Sequence, residues 1–327
     1  MNHAENTPSA SEVVCFGDLL MDFVPTESGL EFSDLPTFVP VPGGAAANVA
    51  AGLAKLGVQS GFIGKVGDEP FGHVLIDTLK REGVDVSAIR LEARARTALA
   101  FVTLTKDGER DFMFYRHPSA DMLFQPEEVD TASIDGAKVF HFDSISLASP
   151  QPRKTALFAA DHAKSREKLI SYDVNLRLPL WDNKTEARKG ILEGLRRSDV
   201  VKLSDDELSF LTGSGGLENI RKKLWHDRLR LVVLSLGEKG CVAITRRGDL
   251  TVPSLPVKVV DTTGAGDGFV AGLLSGLVAD RAVLDDDDAL TGLCRFANAV
   301  GALTTTSRGA IPSLPTRQQV DDLLSNG

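Results

Sequence analysis

Asp261-Thr262-Thr263-Gly264-Ala265-Gly266-Asp267-Gly268-Phe269 sets two carboxylates around a run of small residues, directly ahead of an apolar, helix-like segment, Phe269 to Val278. Small residues let a backbone come close to a ligand. A helix start offers unpaired N–H groups and the positive end of a dipole to an anion. An aspartate at that point can accept a proton from a hydroxyl while the amides beside it hold a phosphoryl group. That is equipment for phosphorylating an alcohol. The same residues also suit a plain capped turn, since Asp is a favoured N-cap and Gly-rich turns often precede helices. Context has to separate the two readings.

Working outward, short β-rich runs recur at Glu12–Phe16, Ser60–Lys65, Ala137–Phe142, Lys168–Asp173, Val200–Leu203 and Arg230–Ser235. Between them lie helical patterns at Ala47–Leu56, Pro70–Glu82, Arg153–Ser165, Thr185–Arg197 and Asp205–Leu211. Strand alternating with helix predicts a parallel sheet covered on both faces. In such sheets ligands gather beyond the carboxyl ends of the strands. Two stretches break the rhythm. Residues 20–41 hold two short extended pieces among several prolines, and Thr97–Thr105 and Arg110–Arg116 flank the hairpin signal Lys106-Asp107-Gly108-Glu109. These strands are expected to form a small accessory sheet, either a lid that excludes water or an edge extension without function. Asp285–Asp288 reads as a solvated helix start or loop, and the chain from Thr316 as a short surface helix. A single α/β domain spanning residues 1–327, with the lid strands inserted in it, is the expectation.

The bulk composition narrows the partners. With 36 Lys+Arg against 45 Asp+Glu, the net charge of −9 argues against nucleic acid or an anionic membrane surface. The three cysteines, Cys15, Cys241 and Cys294, form no CxxC or Cys/His cluster, which suggests a reducing compartment and no zinc site. Met1 to Glu12 lacks an apolar signal core, and no run reaches the ~18–20 apolar residues of a membrane span. A cytoplasmic protein is expected.

Four groups, far apart in the chain, make chemical sense beside Asp267. The first is Gly17-Asp18 through Asp22, followed by Gly43-Gly44-Ala45-Ala46-Ala47-Asn48. Asp22 and Asn48 can bind hydroxyls as acceptor and as donor-acceptor, and the glycine pair allows close approach. The second is Asp173-Val174-Asn175-Leu176-Arg177, where Arg177 can clamp a transferring phosphate. The third, Lys202-Leu203-Ser204-Asp205-Asp206-Glu207, fits either a phosphate-side loop or a plain capping box. The fourth, Ser235-Leu236-Gly237-Glu238-Lys239-Gly240, is a strand end and glycine turn beside which a nucleotide phosphate can lie. Competing motifs fail. Gly64-Lys65 is followed by Val66, so there is no Walker A loop; no GxGxxG follows the first strand, and GxSxG and HExxH are missing.

Taken together, these groups resemble the ribokinase-like (pfkB) carbohydrate kinase family, over about Val13 to Leu314. Within it the sequence is most similar to fructokinases, on Pro42-Gly-Gly-Ala-Ala-Ala-Asn-Val-Ala50, Thr97-Ala-Leu-Ala-Phe-Val-Thr103, Arg116-His-Pro-Ser-Ala-Asp-Met122, Asn175-Leu-Arg-Leu-Pro-Leu-Trp181 and Gly309-Ala-Ile-Pro-Ser-Leu-Pro315. The resemblance implies a three-layer sandwich with a central, mostly parallel sheet and a small β-sheet lid. It implies an ATP-dependent kinase using Mg2+ and commonly a monovalent cation such as K+. Asp267 would be the base for a sugar hydroxyl, and the amides of Gly264, Ala265 and Gly266 the anion hole. Asp22, Gly43, Gly44 and Asn48 would bind the sugar, with Arg116 reaching in from the lid and Arg177 meeting the phosphate. Lys202, Ser204, Glu207, Ser235 and Gly237 would lie along the ATP phosphates, Glu207 in the Mg2+ network, and Asn298 near the adenine. Asp261, Thr263, Thr304, Ser307, Gly309 and Ser313 would supply the monovalent cation site.

The chain also departs from that pattern. Related fructokinases usually carry Glu at Asp18, Pro at Ala46, Pro at Val174 and Gly at Asp143. Asp143 either faces the sugar pocket or makes a turn. Fructose is the favoured acceptor, with ribose, 2-keto-3-deoxygluconate and a nucleoside as alternatives; Arg116 can pair with an acid sugar's carboxylate. A silent sugar- or nucleotide-binding regulator would predict an eroded base or anion hole, and both are intact here. A homodimer through the lid sheet is compatible with the sequence.

Overall fold

The computed structural model describes residues 11–27, 35–104 and 110–326. In chain order the first strands are β1 (Val13–Phe16), β2 (Leu20–Pro25), β3 (Phe38–Gly43), β4 (Ser60–Gly67), β5 (Ile89–Glu92), β6 (Leu99–Leu104) and β7 (Arg110–Tyr115). They are followed by β8 (Val139–Asp143), β9 (Leu169–Asp173), β10 (Val200–Ser204), β11 (Leu231–Ser235), β12 (Cys241–Ile244) and β13 (Asp249–Val252). The helices are α1 (Ala45–Lys55), α2 (Pro70–Arg81), α3 (Thr131–Gly136), α4 (Pro150–Ser165) and α5 (Lys184–Leu195). After these come α6 (Asp205–Thr212), α7 (Leu217–Asn219), α8 (Ala265–Ala279), α9 (Asp287–Thr304) and α10 (Arg317–Asn326).

Nine strands form one sheet in the order β13-β12-β11-β10-β9-β8-β1-β4-β5. From β11 to β5 every pairing is parallel; β12 and β13 run antiparallel at one edge. The period-2 side-chain alternation sorts the strands between two helical layers. Val13 and Cys15 join the core that includes α1, α2, α8, α9 and α10, while Val14 and Phe16 join the core that includes α3 to α7. Both faces are covered, so β1, β4, β8 and β9 are buried along their whole length.

The two irregular stretches meet in a separate four-stranded sheet, β3-β2-β6-β7. Its β6–β7 pair is antiparallel, as the hairpin signal required, though the turn Lys106–Glu109 itself lies outside the described residues. The lid is tied together by rings: Phe23 stacks on Phe101 at 4.9 Å, and Phe38 and Tyr115 meet Phe101 edge-on at 5.4 Å each.

Two boundaries differ from the sequence reading in ways that matter. The helix expected from Phe269 begins at Ala265, so Asp267 stands inside its first turn rather than ahead of it. Strands β5, β12 and β13, toward the two ends of the sheet, carry too short an alternation to be separated from loop by pattern, and they were not anticipated. Close helix packing then fixes the site. A Cβ on Gly52 of α1 would lie 2.8 Å from the Cβ of Ala271 on α8, so only glycine lets the two helices approach this closely. That approach brings Asn48 and Asp267 together.

Candidate active site

The order of strand addition reverses at β1: β4 and β5 are added on one side, β8 to β11 on the other. Such a switch point opens a crevice at the carboxyl ends of the strands, and the candidate residues converge there. Asn48 Nδ2, from α1, donates to Asp267 Oδ2 at 2.7 Å across 219 residues of sequence. Gly44, which caps α1 at φ 114°, lies against the Asp18 carbonyl, where any side chain would collide. Gly43 likewise leaves room for the Asp22 carboxylate. The first sequence group is therefore one wall of the crevice.

Asp267 is half-buried, so its carboxylate can be reached from the crevice. Burial pushes its pKa up, opposed by the Asn48 hydrogen bond and by the charges of Lys202 and Arg177. The α8 start supplies the donors. Gly264 caps it in the left-handed region at φ 76°. Its first turn closes with Gly268 N–H donating to the Gly264 carbonyl at 2.7 Å. Ala265 N–H reaches back to the Thr262 carbonyl at 3.3 Å, so Gly266 is the better placed of the small residues to offer a free donor. The Lys202 ammonium stands 3.2 Å from where a Gly266 side chain would begin, adding positive charge beside the helix end.

Lys202 is itself anchored on Asp173, at 3.1 and 3.2 Å. Burial pulls its pKa down, but Asp173, Glu207 and Asp267 more than offset this, and the net shift is upward. Its side chain stays charged. Burial pushes Asp173 up to about 6, with Lys202 opposing and Glu207 and Asp267 reinforcing.

The capping-box reading of Ser204 and Glu207 is realised. Glu207 N–H donates to Ser204 Oγ at 3.2 Å, and Ser204 N–H donates to Glu207 Oε2 at 2.7 Å. Glu207 Oε1 accepts from Leu176 N–H at 2.8 Å, and Val174 N–H donates to the Lys202 carbonyl at 3.0 Å. The box thus holds the 174–177 loop, and with it Arg177, whose charge acts on Asp267. With both oxygens accepting amides, Glu207 fits Mg2+ through water rather than directly, in line with that ion's tendency to keep its waters. Ser235 is half-buried at the end of β11, its hydroxyl donating to the Leu203 carbonyl at 3.3 Å, and Gly237 turns the chain at φ 59°. Asn298 is buried on α9 with its amide donating to the Val252 and Pro253 carbonyls at 3.1 and 3.2 Å, so it ties α9 to the β13 end.

The cation set gathers on two loops that Asp261 joins. Its Oδ1 accepts from Thr263 N–H and Oγ1 at 3.0 and 2.7 Å, and its Oδ2 from Gly309 N–H at 3.0 Å. Ser313 Oγ donates to the Gly309 and Ala310 carbonyls, Thr304 Oγ1 to the Val300 carbonyl, and Ser307 is exposed. Backbone carbonyls and one carboxylate are an all-oxygen donor set, which suits a hard cation.

Asp143 realises the turn reading too: Oδ1 accepts from Ile145 and Ser146 N–H at 3.0 and 3.4 Å. Its Oδ2 is buried with no partner among the described residues. Burial, then Asp18, Asp173 and Asp267, push its pKa well above the usual carboxylate range. Asp18 is pushed up to about 6, by burial first, with Arg116 opposing. Sequence reasoning passed over Asp18, Asp121 and Asp173 as site carboxylates, although Asp18 and Asp173 each sit at or just beyond a strand end. Arg116 was placed at the sugar; in the structure its Nη2 pairs with Asp121.

A buried carboxyl with a raised pKa contributes stability that is present below the unfolded value and lost as pH rises through the folded one. Asp143→Asn keeps the turn-capping oxygen and removes the charge. Its urea midpoint is expected to exceed that of the parent at pH 8, with the gap closing toward pH 4. A gap that does not change with pH would contradict the assignment.

The geometry has counterparts. A "Probable fructokinase-4" from Arabidopsis thaliana is 51% identical over 322 residues, covering 98% of this chain and 99% of that protein. The crystal structure of a fructokinase from Xylella fastidiosa with bound ATP superposes with a TM-score of 0.89 at 34% identity, covering 96% of this chain and 98% of that one. A fructokinase double mutant from Vibrio cholerae O395, holding fructose, ADP and potassium ion, gives a TM-score of 0.87 at 34% identity over 97% and 99% of the two chains. The pattern of the pfkB family carbohydrate kinases matches residues 10–317. With the crevice, the lid and this match in agreement, the chain belongs to the pfkB family of carbohydrate kinases.

Proposed function

We propose that this protein transfers the γ-phosphoryl group of ATP to fructose, giving fructose 6-phosphate. The observation that carries the reading is the half-buried Asp267 carboxylate, oriented by Asn48 in the first turn of α8, with Lys202 beside that turn. The fructokinase relatives support fructose as the acceptor.

In this reading Asp22, Gly43, Gly44 and Asn48 hold the sugar so that its C6 hydroxyl faces Asp267. The hydroxyl is not ionised at neutral pH, and Asp267 takes its proton as the bond to phosphorus forms. Phosphoryl transfer asks little of the base until late, and most of the rate comes from positioning and from charge stabilisation on the phosphoryl oxygens. The amides of Gly264 and Gly266, the Arg177 guanidinium and the Lys202 ammonium provide that stabilisation. Ser204, Ser235 and Gly237 line the phosphates, with Asn298 on the adenine side. Glu207 would hold Mg2+ through water, and the ion would supply positive charge to the ATP phosphates. A monovalent cation such as K+ on the carbonyls of residues 261, 263, 304, 307 and 309, with Ser313, would brace the loop that carries the anion hole. The lid over the crevice would exclude water from the transfer. The single-domain organisation, and a homodimer through lid faces that leave Val39 48% and Tyr115 57% exposed, belong to the same proposal. So does a cytoplasmic setting; no described helix is long and apolar enough to cross a membrane.

A coupled ADP-release assay with ATP, Mg2+ and K+ tests the reading against fructose, ribose, 2-keto-3-deoxygluconate, fructose 6-phosphate and adenosine. Fructose is expected to give the highest kcat/KM. A clear preference for another acceptor would overturn the choice of sugar, and no turnover with any would overturn the kinase.

A further inference from the structure

The cap of α2 does more than start a helix. Glu69 stands at the N-cap, where its Oε2 accepts from Phe71 N–H at 2.9 Å and its Oε1 from Gly72 N–H at 3.2 Å. Asp, Asn, Ser or Thr usually fill such a position and could meet those amides with a shorter arm. The longer glutamate reaches further. Its Oε1 also accepts from Thr97 N–H at 3.2 Å, across 28 residues of chain, and the carboxylate takes the Thr97 hydroxyl as well. Thr97 Oγ1 in turn accepts from Gly67 N–H at 3.1 Å. Glu69 and Thr97 are 8% and 4% exposed, so water competes little for these bonds. Burial alone would raise the Glu69 pKa, but the Thr97 hydroxyl and the three amides outweigh it and hold the carboxyl below its ordinary value. The acceptor is charged at neutral pH, which strengthens each bond it makes.

Thr97 stands where the chain enters the lid. The next residue, Ala98, accepts at its carbonyl from Met21 N–H at 3.1 Å, and Met21 and Asp22 then run in parallel register with Leu99 and Ala100 of β6. A second contact leaves the same helix start. Phe71, beside Glu69, meets Phe23 edge-on with ring centroids 5.9 Å apart. Met21 and Phe23 are the two neighbours of Asp22 on β2. Side chains alternate along a strand, so Phe71 packs on the face of β2 opposite Asp22. The first turn of α2 thus grips β2 on both sides of Asp22, once through the backbone and once through a ring.

We propose that Glu69, Thr97 and Phe71 are positioning residues for the acceptor: they set where β2 lies over the crevice, and so where the Asp22 carboxylate meets the sugar. The inference rests on the reading of Asp22 as a sugar-binding residue given above. None of the three touches substrate in this account; each acts through Asp22. A carboxylate that is merely displaced loses the same contact in the ground state and the transition state. Its loss therefore raises KM for the sugar and spares kcat.

Steady-state kinetics with fructose and ATP test this on Glu69→Asp, Thr97→Val, Thr97→Ser and Phe71→Ala. Glu69→Asp keeps a favoured helix cap and withdraws the reach to Thr97. Thr97→Val removes the hydroxyl with little change of shape, and Thr97→Ser retains it. Glu69→Asp, Thr97→Val and Phe71→Ala are each expected to raise KM for fructose by roughly two- to tenfold, the worth of about one hydrogen bond. Their kcat and KM for ATP should stay near the parent's, and Thr97→Ser should match the parent throughout. A role in capping or packing alone would shift the urea midpoint and leave KM for fructose where it was. Asp22→Ala supplies the second readout, taken as kcat/KM for fructose, which needs no saturation. In that background the Thr97→Val penalty is expected to vanish, because the group it positions is gone. Unchanged KM for fructose in the three variants, or an equal Thr97→Val penalty with and without Asp22, would overturn the positioning role and leave the kinase reading standing. An Asp22→Ala variant with the parent's kcat/KM for fructose would overturn the reading of Asp22 and this inference together.

Discussion

Replacing Asp267 by asparagine is expected to lower kcat by about 10²- to 10⁴-fold, the usual worth of a positioned general base. The substitution is isosteric, and the amide oxygen can still accept from Asn48, so the α1–α8 packing has no reason to move. Burial holds the Asp267 carboxyl above its ordinary pKa, which makes it a better proton acceptor than a surface aspartate. ATP affinity should stay close to that of the parent, since the phosphates are held by amides and cations instead. A steady-state assay with saturating fructose and ATP reads the change. The parent's kcat/KM for fructose should also fall as acid protonates the base, on the side of its raised pKa. Unchanged kcat in Asp267→Asn would remove Asp267 from the chemistry.

The second large effect is on stability. Lys202→Met is expected to cost about 3–5 kcal/mol, because it leaves buried carboxylates without their cation. The side chains of Lys202 and Asp173 are 11% and 3% exposed, so water screens the pair poorly. Glu207 and Asp267 face the same ammonium. Urea unfolding at pH 8 should show the full loss. At pH 5 the loss should shrink, because Asp173, already pushed up to about 6 with Lys202 present, rises further without it and protonates. A variant as stable as the parent at both pH values would mean that solvent, rather than Lys202, compensates this cluster.

Much of the site was legible in the sequence, for physical reasons that differ by residue. Gly44 and Gly264 could be picked out because only glycine tolerates their φ of 114° and 76°. Asp267 was legible through its place in a small-residue run before an apolar segment, although the segment hid where the helix begins. Sheet class followed from strands alternating with helical patterns, and the lid from strands with no helix between them. What remained ambiguous was what one residue's polar atoms do once the chain folds. Ser204 and Glu207 satisfy a capping box and a phosphate-side loop equally well as letters; the structure shows the box, and shows that its glutamate also holds the Arg177 loop. Asp143 was open between turn and pocket, and its two oxygens divide, one capping the turn and one left without a partner. Asp18 and Asp121 were not picked out as site carboxylates because their importance lies in facing Arg116 across 98 and 5 residues of chain, a relation that spacing does not encode. Strands β5, β12 and β13, toward the ends of the sheet, were missed; each has only four residues in which a period could register.

The central claim is that fructose binds with its C6 hydroxyl at Asp267. A crystal structure with fructose and a non-hydrolysable ATP analogue measures this directly. The account predicts the C6 oxygen within about 2.6–3.2 Å of an Asp267 carboxylate oxygen, with the γ-phosphate analogue over Gly264 to Gly266. Fructose bound with another hydroxyl at Asp267, or outside the crevice between Gly44 and Asp267, would contradict it.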